Sequence, residues 1–365
     1  MILSLLRMKA IMQKEVRQLT RDRITFAMVV MIPLIQLLLF GYAINTEIRD
    51  IPIAIVDQSE SEVGRIIAEA VEVTQVVTIV QRYATVHEAQ QAINDGTARA
   101  VLILPSDLTQ RIAQKRTLGQ WLVDGSDTMI SAAIMQLKNM PLNMLINYQT
   151  SQPATFEVAL FFNPQRRSAV NIVPGLLAVI LTMTMILFTS AAVVREKERG
   201  NMELLITTPV HPMELMLAKI LPYVVVGFIQ VIIILGLGYY VFDVPINGSV
   251  VQILLGTLLF ILASLTLGLI ISTRAQTQLQ AMQMTIFILL PSILLSGFMF
   301  PYEGMPVPAQ WVAEVLPATH FMRVIRGIIL RGADLLDVWR DTLWLICFTL
   351  LGLVGASLGF KKSLD

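Results

Sequence analysis

The chain has 365 residues, a formal net charge of +1, 55% hydrophobic residues and only 15% charged ones. That balance excludes an intrinsically disordered chain, which needs low hydrophobicity and high net charge, and a strongly basic nucleic-acid binder. The single cysteine, Cys347, excludes an intrachain disulfide and a multi-cysteine metal cluster, and a mean hydropathy of +0.69 marks a polytopic membrane protein with a sizeable water-exposed part.

Residues 2–22 read as an amphipathic helix. Leu5, Met8, Met12, Val16 and Leu19 recur at spacings of three or four, while Lys14, Arg17 and Arg21 share another face. Such a helix lies in the membrane interface with its basic stripe toward anionic headgroups. Six stretches whose interiors carry no Asp, Glu, Lys or Arg then qualify as spans, since about 30 Å of hydrocarbon needs roughly 20 helical residues. They lie at 24–44, 170–194, 218–241, 250–272, 280–300 and 341–360. The predicted fold is an α-helical polytopic membrane protein with six transmembrane helices. The first apolar run is too long for a cleaved signal peptide and reads as a retained anchor.

Between the first two spans, residues 45–169 change character. Twelve acidic residues face seven basic ones from Asp50 to Glu157. Strand-like runs at 51–57, 76–80, 98–104 and 120–127 alternate with helical patterns at 62–71, after Thr85 and after Pro105. Thr85 is predicted as an N-cap with Glu88 at the third helical position. This alternation predicts an inserted α/β domain outside the cytoplasm. Asp57 and Asp124 follow strands and read as turn-forming carboxylates rather than a metal or phosphate site.

Lys and Arg set the orientation. Six flank the start of the first span from Arg7 to Arg23, the loop at 195–217 carries Arg195, Lys197 and Arg199, and the tail adds Lys361 and Lys362. Both termini are therefore expected in the cytoplasm. Arg323, Arg326, Arg331 and Arg340 depart from the rule, and segment 301–340 is read as a re-entrant or amphipathic piece on the outer face, with Trp311 at the interface. In the cytoplasmic loop, Gly200 permits a sharp turn, a short helix is expected over 201–207, and Thr208–Pro209 stops it. Pro212 opens the next helix. His87, His211 and His320 lie far apart and carry no shared metal expectation; Cys347 reads as a packing residue.

Three blocks carry a family resemblance. The run VREKERGNMELLITTPVHPMELMLAK (194–219) resembles the coupling-helix loop of ABC-2 type permeases. LLSGFMFPYEGMPVPAQWVAEVLPATHFMRVIRGIIL (294–330) is similar to a second stretch of that family, and the opening residues 14–45 resemble its first interface helix and span. Asn201 stands where the family more often has Thr; either caps a helix. The six spans with a large insert resemble the branch described as multidrug export permeases of the bacterial inner membrane.

The resemblance implies a permease subunit pairing with a second permease and with a cytosolic ATPase that holds the ATP and Mg²⁺. This chain itself has no G-x-x-x-x-G-K-[ST] phosphate loop and is not expected to be an enzyme or to bind a cofactor. Carried over, Glu196, Arg199, Gly200, Glu203, Thr208 and Pro209 form the ATPase contact. The pathway candidates are the polar residues of apolar spans: Asn171, Thr182 and Thr184 in the second, and Gln283, Thr285, Ser292 and Ser296 in the fifth. Interhelical hydrogen bonding, worth about 0.6 kcal/mol on average, is the competing role for them. Membrane lipid is an expected partner, and a periplasmic membrane-fusion adaptor accompanies some relatives. Two other functions compete: an ion-coupled secondary carrier, disfavoured by the lack of ionisable groups inside the spans, and a membrane-anchored sensor with an outer ligand-binding domain. The substrate class read from the family is a hydrophobic or amphipathic solute, drugs included.

Overall fold

The computed structural model describes residues 2–43, 50–114, 116–124, 128–137, 163, 167–200 and 212–359. They form two compact units, residues 46–160 and the remainder of the chain. The larger is helical. Its elements are α1 (Ile2–Arg21), α2 (Arg23–Ala43) and, beyond the insert, α7 (Ser168–Glu198), α8 (Pro212–Tyr240), α9 (Val250–Arg274), α10 (Gln278–Leu295), α11 (Val307–Val315), α12 (Pro317–Arg331) and α13 (Trp339–Gly359). Among the described residues, α7, α8, α9, α10 and α13 are long and apolar enough to cross a membrane, while α2 contributes a shorter apolar stretch, Ala27–Gly41.

The core of this unit lies between α7 and α9. Leu176, Leu177, Ile180 and Leu181 from α7 meet Phe260, Ile261 and Leu265 from α9. Lipid tails are as apolar as these side chains, so helices in a membrane gain mainly from close approach, which small residues allow. Gly268 of α9 lets the backbones of the two helices come close: a Cβ there would fall 2.8 Å from the Ile186 carbonyl oxygen.

Within the expected re-entrant or amphipathic piece at 301–340, α11 lies at the surface, with Trp311 70% exposed. Helix α12 is buried along nearly its whole length. Its Phe321 stacks on Phe260 with ring centroids 4.1 Å apart. Helix α10 stops at Leu295, short of the expected 300, and Gly297 adopts φ +83° just beyond its end. Cys347 is exposed on α13 rather than packed.

The smaller unit carries β1 (Ile51–Asp57), α3 (Glu62–Val73), β2 (Val77–Arg82), α4 (Val86–Asn94), β3 (Ala100–Leu104), α5 (Leu108–Ala113), β4 (Gln120–Val123) and α6 (Thr128–Leu137). Its sheet runs β2-β1-β3-β4. β1 is parallel to both neighbours, and β4 is antiparallel to β3. The central β1 is covered on both faces, which explains its unbroken apolar run: Ile51, Ile53 and Ile55 pack on one side, Ala54 and Val56 on the other. Thr85 accepts a hydrogen bond from the Glu88 amide, as the capping pattern predicts. Asp57 binds the Ser59 amide and hydroxyl in the turn after β1, and Asp124 pairs with Arg99 across neighbouring strands. Helix α6 had no sequence expectation.

Candidate functional site

Three helices meet where α7 ends and α8 begins, at the two stems of the 201–211 loop. Each brings a charge into a buried place. Glu15 from α1, Glu196 from α7 and Lys219 from α8 are only 3%, 5% and 3% exposed. The Lys219 ammonium donates to the Glu196 carboxylate and lies 3.7 Å from Glu15. Lys14, half-exposed, donates to the other Glu196 oxygen. Two carboxylates and two ammonium groups thus form a neutral quartet, the condition under which buried charge is tolerated. Burial pushes the Glu15 carboxyl up from its ordinary value, with Lys219 opposing. Behind the quartet, Tyr223 of α8 stacks against Phe188 of α7.

The quartet holds both stems of the loop and the interface helix together. Gly200 adopts φ +68° directly after α7, the left-handed turn that the sequence anticipates. Arg199 precedes it and is exposed. Glu203, Thr208, Pro209 and His211, together with the expected short helix, lie outside the described residues. Glu15 was not legible as a site residue. The helical stripe predicted an apolar inner face for α1, yet Val16 is exposed and Glu15 is the side chain turned inward.

The polar candidates of the spans fall into separate environments. Thr184 donates to Gln230 of α8 at 2.8 Å, and Gln230 donates onward to the Val29 carbonyl of α2 at 3.3 Å. This chain ties three helices in the middle of the bundle. Gln230 is wholly buried; as the lone amide of an apolar run it met the criterion applied to the other spans. Thr182 returns its hydroxyl to the Ala178 carbonyl, Thr285 to Ala281 and Ser292 to Ile288. Ser296 is buried, with no partner for its hydroxyl among the described residues. Asn171 and Gln283 are exposed on the chain. Helices α7 and α10 pack together, so the two groups share a neighbourhood without a hydrogen bond between them.

A second charged cluster joins the first turns of α12 to α11 and to the start of α13. His320, 4% exposed, directs Nδ1 at Asp341 (2.7 Å) and Nε2 at the Glu314 carbonyl (3.0 Å). Both partners accept, and an imidazolium with its two N–H donors satisfies both. The ring also stacks on Trp344 at 4.0 Å. Arg323 bridges Glu314 and Asp341 and lies over the Tyr302 ring at 4.5 Å. The Arg323 hydrogen bond holds the Glu314 carboxyl below its ordinary value. Arg323 and Arg326 were expected to face headgroups; instead Arg323 turns to these acids and Arg326 donates to the Gly297 carbonyl.

An apolar helical bundle with a buried charged cluster, beside a separate α/β unit, defines a multi-pass membrane protein. Comparison with known proteins narrows the class. Residues 23–358 match the family described as ABC-2 family transporter protein. The chain is 30% identical over 380 residues to an Escherichia coli (strain K12) protein named "Probable multidrug ABC transporter permease YbhS", covering all of this chain and 99% of that one. It is 29% identical over 350 residues to YbhR of the same strain, covering 93% of each. To ABC transporter G family member 20 of Dictyostelium discoideum it is 24% identical over 361 residues, covering 94% of this chain and 49% of that one. The chain belongs to the ABC-2 transporter family and is a permease subunit of an ABC exporter. Family membership implies an ABC ATPase partner and a paired permease.

Proposed function

We propose that this permease moves a hydrophobic or amphipathic solute, drugs among them, out across a bacterial inner membrane, powered by ATP hydrolysed on a separate subunit. The name of the YbhS relative supports the solute class. On this reading α2 supplies a sixth span, both termini are cytoplasmic and the α/β unit lies outside, where a membrane-fusion adaptor could meet it.

The observation that carries the coupling scheme is the buried quartet. A distant ATPase can bias the bundle only through contacts that differ between its nucleotide states. Residues Arg199, Gly200, Glu203, Thr208 and Pro209 supply the contact. Glu196 and Lys219, paired beneath it, bind both loop stems into one body with α1, so a push on the loop reaches three helices together. Polar side chains of α7 and α10, including Asn171, Thr182, Thr184, Gln283, Ser292 and Ser296, line or support the path between.

The test substitutes Glu203→Arg in the full chain. Loss of a co-purifying ATPase and of ATP-dependent dye uptake into inverted vesicles, with the permease still folded, is expected. Unchanged association with unchanged transport would refute the loop assignment. The topology has its own check. In a Cys347→Ser background, cysteine at the exposed position Glu72 should react with an impermeant maleimide in cells with an opened outer barrier; labelling only after lysis places the α/β unit inside.

A further inference from the structure

Beside the quartet, α1 and the end of α7 enclose an open cleft of about 560 Å³ lined by Lys14, Arg17, Arg21, Asp22, Arg195 and Arg199. Five cations from two helices thus surround a single acid. The spacing produces this: residues 14, 17 and 21 recur on one face of α1, and 195 and 199 lie one turn apart on α7. Lys14 is held by Glu196. Against the other four cations, Arg17, Arg21, Arg195 and Arg199, the cleft wall sets Asp22 alone. Like charges so gathered repel unless an anion joins them, and guanidinium forks match phosphate oxygens.

Two placements say which anion. The cleft lies where the apolar run of α7 ends at Val194 and that of α2 begins, which is headgroup level for a spanning helix. A small adjoining pocket of about 40 Å³ shares Asp22 and Arg195 with the cleft and is otherwise lined by the buried Glu15 together with Leu19, Phe188 and Tyr223. Cations gathered at headgroup level beside apolar side chains fit the headgroup of an amphiphile better than a free ion.

We propose that this cleft binds the phosphate of an anionic phospholipid. The guanidinium groups of Arg17 and Arg195, reaching in from opposite helices, grip the phosphate, and the lipid joins α1 to α7 next to the loop stems. The site needs no ATPase, so it stands or falls apart from the coupling scheme.

The experiment uses the purified, delipidated full chain in neutral detergent, titrated with dimyristoyl phosphatidylglycerol, dimyristoyl phosphatidylcholine or inorganic phosphate. Bound lipid is counted by native mass spectrometry and stability followed by thermal unfolding. Saturable phosphatidylglycerol binding that weakens with salt is expected, without a matching response to phosphatidylcholine. Arg17→Gln with Arg195→Gln should weaken it by about tenfold or more. Arg17→Lys with Arg195→Lys keeps the charge but not the fork, and should give a smaller loss. Lys9→Gln with Arg274→Gln removes the same charge elsewhere and should leave binding nearly intact. An equal loss in that control would overturn the site in favour of diffuse attraction. Inorganic phosphate displacing the lipid at equal concentration would overturn the lipid source. Unchanged lipid binding in the Arg17/Arg195 glutamine pair, accompanied by loss of a co-purifying ATPase, would assign the cleft to the protein partner instead.

Discussion

Lys219→Met is expected to destabilise the bundle by about 3–5 kcal/mol, the range for removing one partner of a buried ion pair. The size follows from what stays behind. Glu196 would keep only the half-exposed Lys14, and Glu15 would keep no cation at comparable depth. Thermal unfolding of the detergent-solubilised chain measures the loss, and ATP-dependent efflux should fall with it because the loop stems and α1 no longer move together. Glu15→Gln should behave differently. Burial holds its carboxyl above the ordinary range, so the contribution of Glu15 is fullest below the unfolded value and is lost as pH rises through the folded one. At pH 8 the amide therefore relieves a buried charge, and Lys219→Met combined with Glu15→Gln should recover part of the single variant's deficit. If Lys219→Met unfolds at the parental temperature, the quartet does not hold the stems.

What the sequence made legible follows the range of the forces involved. The spans, the strands of the α/β unit, the Thr85 cap and the Gly200 turn are each written in a local stretch by period, propensity or a demand on φ. The spans were placed without knowing what they touch. The charged sites were not local. Glu15, Glu196 and Lys219 come from three helices, and no spacing rule relates residue 15 to residue 219. Glu196 was picked out by its family block, but its burial became visible only with α1 in place. The same holds for His320, whose acids Glu314 and Asp341 arrive from two other helices. Charge counting misread Arg323 and Arg326 because the positive-inside rule counts residues and says nothing about nearby carboxylates. Gln230 is the exception. Its isolation within an apolar run was visible, and it would have been found by the standard applied to Thr184.

Phe321→Ala should lower stability by about 3–5 kcal/mol, as expected for a large aromatic removed from a packed interior. The ring is wholly buried and parallel to Phe260, and the lost stacking adds roughly 0.5–1.5 kcal/mol within that total. Trp311→Ala, on the exposed face of α11, should stay within about 0.5 kcal/mol in detergent. The comparison tests the assignment of the whole 301–340 segment. If α12 lay on headgroups, its apolar side chains would face lipid, and shortening Phe321 would matter no more than shortening Trp311. If α12 is a structural wedge between α7, α9 and α13, the two losses should differ severalfold. The wedge also explains why Arg323 and His320 sit among acids: a helix driven into the bundle by its apolar face carries its polar residues with it, and they must find partners there. A small effect of Phe321→Ala would remove the reason for the cluster as well as for the wedge.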